Sequence, residues 1–369
     1  MMKMLLCLFL LIPSLTAGAQ TPDNDRARKG GPAMGSTMKK PEHNSLELLG
    51  HMFNTIEEKW FVKDYEAAQH VEFRASISAT MPASSLESRS KAKGMVDFDI
   101  TVDGVAAPNS RYRMDMTGDL GEVEMVKDLR RNFISSPTFK SFSDTPIRSR
   151  SENANLTSYR SYFLRYLGRM RNQIMKSGYY RSIYVGTGMH EGREVHIVRV
   201  YRPDLKKPSK QKKPMAIRKL WTFWHQGGYE LWIDQKTKLP AVVFYTNRDD
   251  NVYANFSFDY DEDLLPKRIT YTNNSLKSEG TGDLILTYDD QKMLNGISLK
   301  FDGERGMSTR LDATLAFGAA LDADAFRVIP PFGFKKINRD HLKLMILTQI
   351  SGGLLKLKKS GVNLKNFKF

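Results

Sequence analysis

Apolar positions along the chain follow two periods, and the switches between them mark out the elements. Leu46, Leu49, Met52, Phe53, Ile56 and Trp60 recur every three or four residues, which predicts an amphipathic helix from Ser45, as N-cap, to about Trp60. Glu57, Glu58 and Lys59 take its wet side. From Val71 to Ile77 the period falls to two, as it does in strands with one solvated face. Val96, Phe98, Ile100 and Val102 share one side of the next alternating run, and Tyr112 to Met116 alternates again. The Ser-, Thr- and Pro-rich stretch from Ser135 to Arg150 reads as a loop. Helical spacing returns with Tyr159, Phe163, Tyr166, Leu167, Met170 and Ile174, predicting a helix over 157–176 that Ser177-Gly178 ends.

Alternation then dominates to about Ala316. Strands are expected at 180–186, 194–201, 218–225, 229–234, 240–246, 252–260, 267–273, 282–288, 296–302 and 308–316. Connections this short make neighbouring strands mostly antiparallel. Pro330-Pro331 breaks the pattern, and Leu342, Met345, Ile346 and Ile350 predict a short helix stopped by Gly352-Gly353. The fold class expected is α+β. Sheets of more than about ten strands curl, so the architecture expected is a strongly curved antiparallel sheet, an open half-barrel, with helices on its concave face. Two long helices leave part of such a face unfilled, and an apolar cavity is the remainder.

The ends change the picture of where this sheet works. A short positive start, the apolar run Leu5 to Leu15 and Ala17-Gly18-Ala19 have the form of an export leader over 1–19, cleaved before Gln20. The run is shorter than the roughly 20 apolar residues a membrane helix needs. Cys7, the sole cysteine, lies inside it, so no disulfide or thiolate metal site is expected in the exported chain. Residues 20–43 have almost nothing to bury and read as a disordered arm. A single domain is expected over 44–330, followed by a basic segment over 331–369. A periplasmic or secreted location follows, and the lack of disulfides favours a bacterial periplasm.

A net charge of +15 points to an acidic partner surface, although solubility alone accounts for it equally well. Export sets nucleic acid aside and leaves an anionic membrane surface. The basic insertion with Lys206, Lys207, Lys210, Lys212 and Lys213, and the tail with Lys356, Lys358 and Lys359, are the candidate contacts. Catalytic chemistry is sparse. His190 and His196 are six apart, whereas a helical zinc site needs four. The acidic run Asp259 to Asp263 lacks the glycine and distal glutamate of a calcium loop. No nucleophile elbow, phosphate loop or dinucleotide fingerprint is present, and neither metal nor cofactor is implied. A hydrolase built from carboxylates on distant strands stays open.

The informative residues are therefore apolar and aromatic ones on strands. Trp224, Leu231, Ile233, Phe244, Phe256, Phe258 and Tyr260 are the candidate lining of the cavity, against the plainer reading that each packs under a helix. The run Tyr229-Glu230-Leu231-Trp232-Ile233-Asp234-Gln235-Lys236-Thr237-Lys238-Leu239-Pro240 carries a resemblance. It resembles the hairpin of periplasmic lipoprotein carriers and outer-membrane lipoprotein-sorting proteins of the Lol type, in which a strand ending in Trp-Ile-Asp turns and re-enters at Leu-Pro. Gly192 to Tyr201 and Asn251 to Ile269 resemble the strands on either side. The likeness covers about 180–275; the chain is longer than a minimal carrier, and the resemblance assigns the family's gating arginine to no particular residue here. The resemblance implies a cavity that accepts a lipid or a lipoprotein's acyl chains, with no catalysis. The other class of function is a structural or sensing module of the envelope that binds protein or glycan. Oligomeric state is not legible.

Overall fold

The structure, a computed structural model, describes residues 44–82, 95–119, 121–147, 153–175, 180–201, 228–246, 252–275, 278–303, 306–322 and 324–350. Helix α1 (Ser45–Trp60) precedes the first six strands: β1 (His70–Pro82), β2 (Met95–Ala106), β3 (Tyr112–Gly118), β4 (Val123–Lys127), β5 (Arg131–Ser136) and β6 (Ser141–Pro146). Helix α2 (Tyr159–Met175) leads to β7 (Arg181–His190), β8 (Arg193–Tyr201), β9 (Gly228–Asp234), β10 (Pro240–Thr246) and β11 (Val252–Tyr260). Then come β12 (Pro266–Ser275), β13 (Ser278–Tyr288), β14 (Leu294–Gly303) and β15 (Ser308–Gly318), with a two-residue β16 (Lys335–Lys336) and helix α3 (Arg339–Ile350) at the end.

All sixteen strands belong to one sheet, in the order β16-β6-β5-β4-β3-β2-β1-β15-β14-β13-β12-β11-β10-β9-β8-β7. Two antiparallel meanders, β1 to β6 and β7 to β15, run outward from a seam where β1 pairs with β15, Ile77 opposite Leu311. This arrangement dictates where α2 goes. The chain leaves β6 near one edge and must reach β7 at the other, so the connection crosses a face of the sheet.

Tight hairpins close one end of the second meander by a repeated device. Asp234, Asp261 and Asp289 each accept two backbone N–H bonds through Oδ1, from Lys236 and Thr237, Asp263 and Leu265, and Gln291 and Met293. Each turn then passes through one residue with positive φ: Lys238, Leu264 or Lys292. Aspartate favours such turns because its side chain replaces the bonds that the ladder has lost. Tyr260 Oη donates to the Pro240 carbonyl at 2.7 Å, and Tyr288 Oη to that of Pro266 at 3.0 Å, tying successive hairpins together.

Two sequence expectations are corrected, and one strand is added. Much of the stretch read as a loop over 135–150 is not one: the end of β5, a 3-10 turn and β6 occupy 135–146, with Ser135, Ser136, Ser141 and Ser143 all buried. Their small side chains look loop-like by type, yet they pair in register across β5 and β6. The N-cap of α1 is Asn44, whose side chain accepts from the Leu46 N–H at 3.0 Å; the Ser45 hydroxyl instead donates to the Ser182 carbonyl at 3.1 Å. Strand β4 was not expected. The strand anticipated at 218–225 lies outside the described residues, as do the leader and the arm.

Candidate functional site

Pairing register and alternation sort the strand side chains between two faces. One row runs Phe258–Ile269–Leu284–Leu299–Leu311–Ile77–Ile100, each residue opposite the next across seven neighbouring strands. At about 4.8 Å per strand the row is about 29 Å long, and it contains no polar side chain. Beside it, Leu231, Val243, Phe256 and Tyr271 pair in sequence on the same face. The opposite face carries cross-strand ion pairs: Arg74 with Asp103 at 2.7 Å, Arg113 with Glu124 at 2.7 Å, and Arg199 with Glu230 at 2.9 Å.

All three helices cover parts of the apolar face. The stripe of α1 (Leu48, Leu49, Met52, Phe53, Ile56) packs on Val198, Val200, Leu231 and Ile233, and Ile233, Val198 and Val200 are completely buried. Leu342 and Ile346 of α3 cover Val123 and Ile134 at the other end. Tyr159, Tyr162 and Phe163 of α2, with Tyr65, form an aromatic cluster whose rings reach Phe317 near the end of β15. Among the described residues the cover between the areas under α1 and α3 is incomplete. Leu284, Leu299 and Leu311 are buried, but Phe256, Phe258, Ile269, Ile77, Ile100 and Met116 remain half-buried.

The sheet itself keeps this stretch low. Phe301 lies along Gly280, Gly282 and Gly303 rather than standing off the sheet; a Cβ at Gly280 would come within 2.9 Å of its Cζ. Glycine is needed there for the close approach of a ring. Burial pushes the phenols of Tyr65 and Tyr271 up to about 12, and those of Tyr112 and Tyr159 upward too, as expected where charge is poorly solvated.

The candidate residues separate into four groups. Leu231 and Ile233 lie beneath α1 as packed core. Phe256, Phe258 and Tyr260 are half-buried on the apolar face: Phe256 lies 4.9 Å from the Tyr271 ring, Phe258 stacks on Tyr260 at 6.5 Å, and Tyr260 meets Trp60 of α1 at 6.2 Å. Phe244 does not join them. It faces the other way, paired with Glu230 and 5.3 Å from Trp232, because alternation admits only one of the adjacent Val243 and Phe244, and Val243 takes the inward place. Trp224 and the basic residues Lys206, Lys207, Lys210, Lys212, Lys213, Lys356, Lys358 and Lys359 lie outside the described residues.

Residues that were not singled out complete the face: Ile269, Leu284, Leu299 and Leu311, on the four successive strands β12 to β15, and Phe73, Ile77 and Met116 from the first meander. Their alternation is visible in the sequence, but which strands adjoin depends on the β1–β15 seam, which no local pattern reveals. His190 and His196 sit on opposite faces, His190 against Trp232 and His196 beside Tyr184. Among the described residues no cluster of three or more His, Cys, Asp or Glu is placed to hold a metal ion, and no helix is long and apolar enough to cross a membrane.

No family model matches the chain, and no curated protein matches it. Similarity to solved structures is broad in coverage and low in score. A LolA superfamily protein from Nitrosomonas europaea is 9% identical, with 76% of this chain and 97% of that one covered and a TM-score of 0.31. A DUF1329 family protein from Desulfovibrio piger is 8% identical over 77% and 95% of the two chains, with a TM-score of 0.30. Lipoprotein LppX from Mycobacterium tuberculosis is 8% identical over 76% and 98%, with a TM-score of 0.21. Scores this low leave the functional reading to the chain's own geometry.

Proposed function

We propose that the protein is a non-catalytic envelope protein that holds a lipid or a lipoprotein's acyl chain against the apolar face, as a carrier or sorting factor. The observation that carries this reading is the row from Phe258 to Ile100, apolar across seven strands and half-buried at both ends. A sheet of this width curls; in this reading the helix-bearing face is the concave one and the row is its floor. Phe256, Phe258 and Tyr260 line one side of the ligand, Ile77 and Ile100 the other. Burying an acyl chain yields about 0.8 kcal/mol per CH₂, so a carrier that must release its load needs the incomplete cover seen here rather than a sealed pocket. The resemblance of Tyr229–Pro240 to the Lol-type hairpin points the same way, and a periplasmic location suits it. The basic insertion around Lys206–Lys213 and the lysines from Lys356 would meet an anionic membrane.

Titration with a dansylated fatty acid tests this. Saturable binding with a blue-shifted emission is expected, and Ile269→Asp should abolish it in a protein whose circular dichroism is unchanged. A wild-type protein that binds no dansylated fatty acid, and that emerges ligand-free from its own cells in native mass spectrometry, would defeat the proposal. The patch of Trp232, Phe244 and Ile197 on the opposite face supports a second reading, a module that binds protein or glycan. Loss of a partner on Trp232→Ala, with fatty-acid binding intact, would favour it.

A further inference from the structure

After β15 the chain wraps around one edge of the sheet. Phe326 is 4% exposed in a small core against Val126 and Phe133, with the Arg111 guanidinium 4.8 Å above its ring. Farther on, the Lys335 N–H donates to the Lys140 carbonyl at 2.8 Å and the Ile337 N–H to that of Phe142 at 2.9 Å, placing β16 along β6. Between these two anchors stands the knuckle Ile329-Pro330-Pro331-Phe332. Two prolines fix its φ angles. The Phe334 N–H closes a turn onto the Pro331 carbonyl at 3.3 Å, and Gly333 supplies the positive φ of 77° that such a turn requires. The turn carries Phe332 at its corner, fully exposed, and Ile329 is 71% exposed.

An isolated aromatic and an isoleucine held out into water by a stiffened turn are costly to solvate and are anchored on both sides. Their surroundings carry an excess of cations: residues 322–343 hold five Lys and Arg against Asp322, Asp324 and Asp340, Arg327 lies 3.7 Å from Asp324, and Lys335 and Lys336 are both exposed. A protein partner is recognised through a broad packed patch with a polar rim; here a narrow apolar tip rises from a cationic collar. That combination suits a lipid interface, where the tip enters the acyl boundary and the cations meet headgroups. We infer that the Ile329–Phe332 knuckle is a membrane-docking wedge for an anionic bilayer. It is built into the described fold, is distant in sequence from the basic insertion and is separate from the proposed ligand-holding face; it does not depend on what that face binds.

Co-sedimentation of the full chain with phosphatidylglycerol–phosphatidylethanolamine vesicles, beside pure phosphatidylcholine vesicles, provides the test. Binding should favour the anionic vesicles and weaken with salt. Phe332→Ser should lower partitioning about tenfold or more, the factor expected for removing a buried aromatic from the bilayer, and Lys335→Glu with Lys336→Glu should remove the preference for anionic lipid. A second measurement uses an NBD label on Phe332→Cys in a Cys7→Ser background; its emission should shift to the blue only on anionic vesicles. Fatty-acid binding by Phe332→Ser should stay at the wild-type level, so loss of the wedge and failure of the ligand-holding face give different results. An unchanged partition coefficient for Phe332→Ser, or an NBD probe that stays water-like on vesicles and shifts only with an added protein, overturns the inference.

Discussion

The strands beneath α1 and those between α1 and α3 share a face, an alternation and a vocabulary of residues, yet they are buried to different degrees. Under α1, Val198, Val200 and Ile233 meet Leu49 and Phe53 and are closed off from water. A few strands away, Phe256, Phe258 and Ile269 have equally apolar neighbours within the sheet but are half-buried. The difference lies in the cover and not in the strands. The sheet offers one continuous apolar surface, and the helices decide which part becomes sealed core and which part stays half-buried.

Substitutions that act on one region and spare the other sharpen this contrast. The largest effect is expected from Ile233→Ala, which empties a sealed site: about 3 kcal/mol of stability should be lost, read from the urea midpoint, while the folded protein keeps its affinity for dansylated fatty acid. Next is alkaline pH. The phenols of Tyr65 and Tyr271 are raised from about 10 to about 12 by burial, so the folded state holds those protons longer than the unfolded chain. Stability should be level below about pH 10 and fall as pH rises towards 12, in step with tyrosinate absorbance. A stability that stays flat through that range would mean that these rings are better solvated than their positions imply.

Phe256→Ala should cost less than the packed-core change, roughly 1–2 kcal/mol for a half-buried ring, but should weaken fatty-acid binding about tenfold. If both substitutions changed stability and binding in the same proportion, the two regions would be one core and the contrast would dissolve. The smallest effect belongs to the opposite face. Arg74→Ala, which removes an exposed ion pair with Asp103, should change the midpoint by no more than about 0.5 kcal/mol.

What the sequence discloses is local, and the limits follow from that. Val71 to Ile77, Val252 to Tyr260 and the Asp234–Pro240 turn announce themselves because alternation and turn chemistry are written in adjacent residues. The apolar stripe of α1 is equally plain. Hidden are pairings between distant segments, above all β1 with β15, which brings Ile77 to Leu311 and so completes the apolar row. Serine-rich β5 and β6 were hidden for another reason: their side chains are buried beside α3 and the edge, where small size counts more than hydropathy. Phe244 shows the cost of choosing by residue type where parity decides; with Val243 adjacent, only the register with β9 tells which side chain turns inward.

The strap formed by β16 also has a bearing on self-association. It occupies part of the outer side of β6, a strand that ends in a proline unable to donate a ladder bond, whereas the ten-residue β7 at the far margin pairs with β8 on one side and has no strand on its outer side among the described residues. Among the described residues the β7 margin is therefore the longer open ladder, and copies meeting through it would join like to like as a closed two-fold pair, with the shorter, partly strapped β6 margin a poorer socket for further growth.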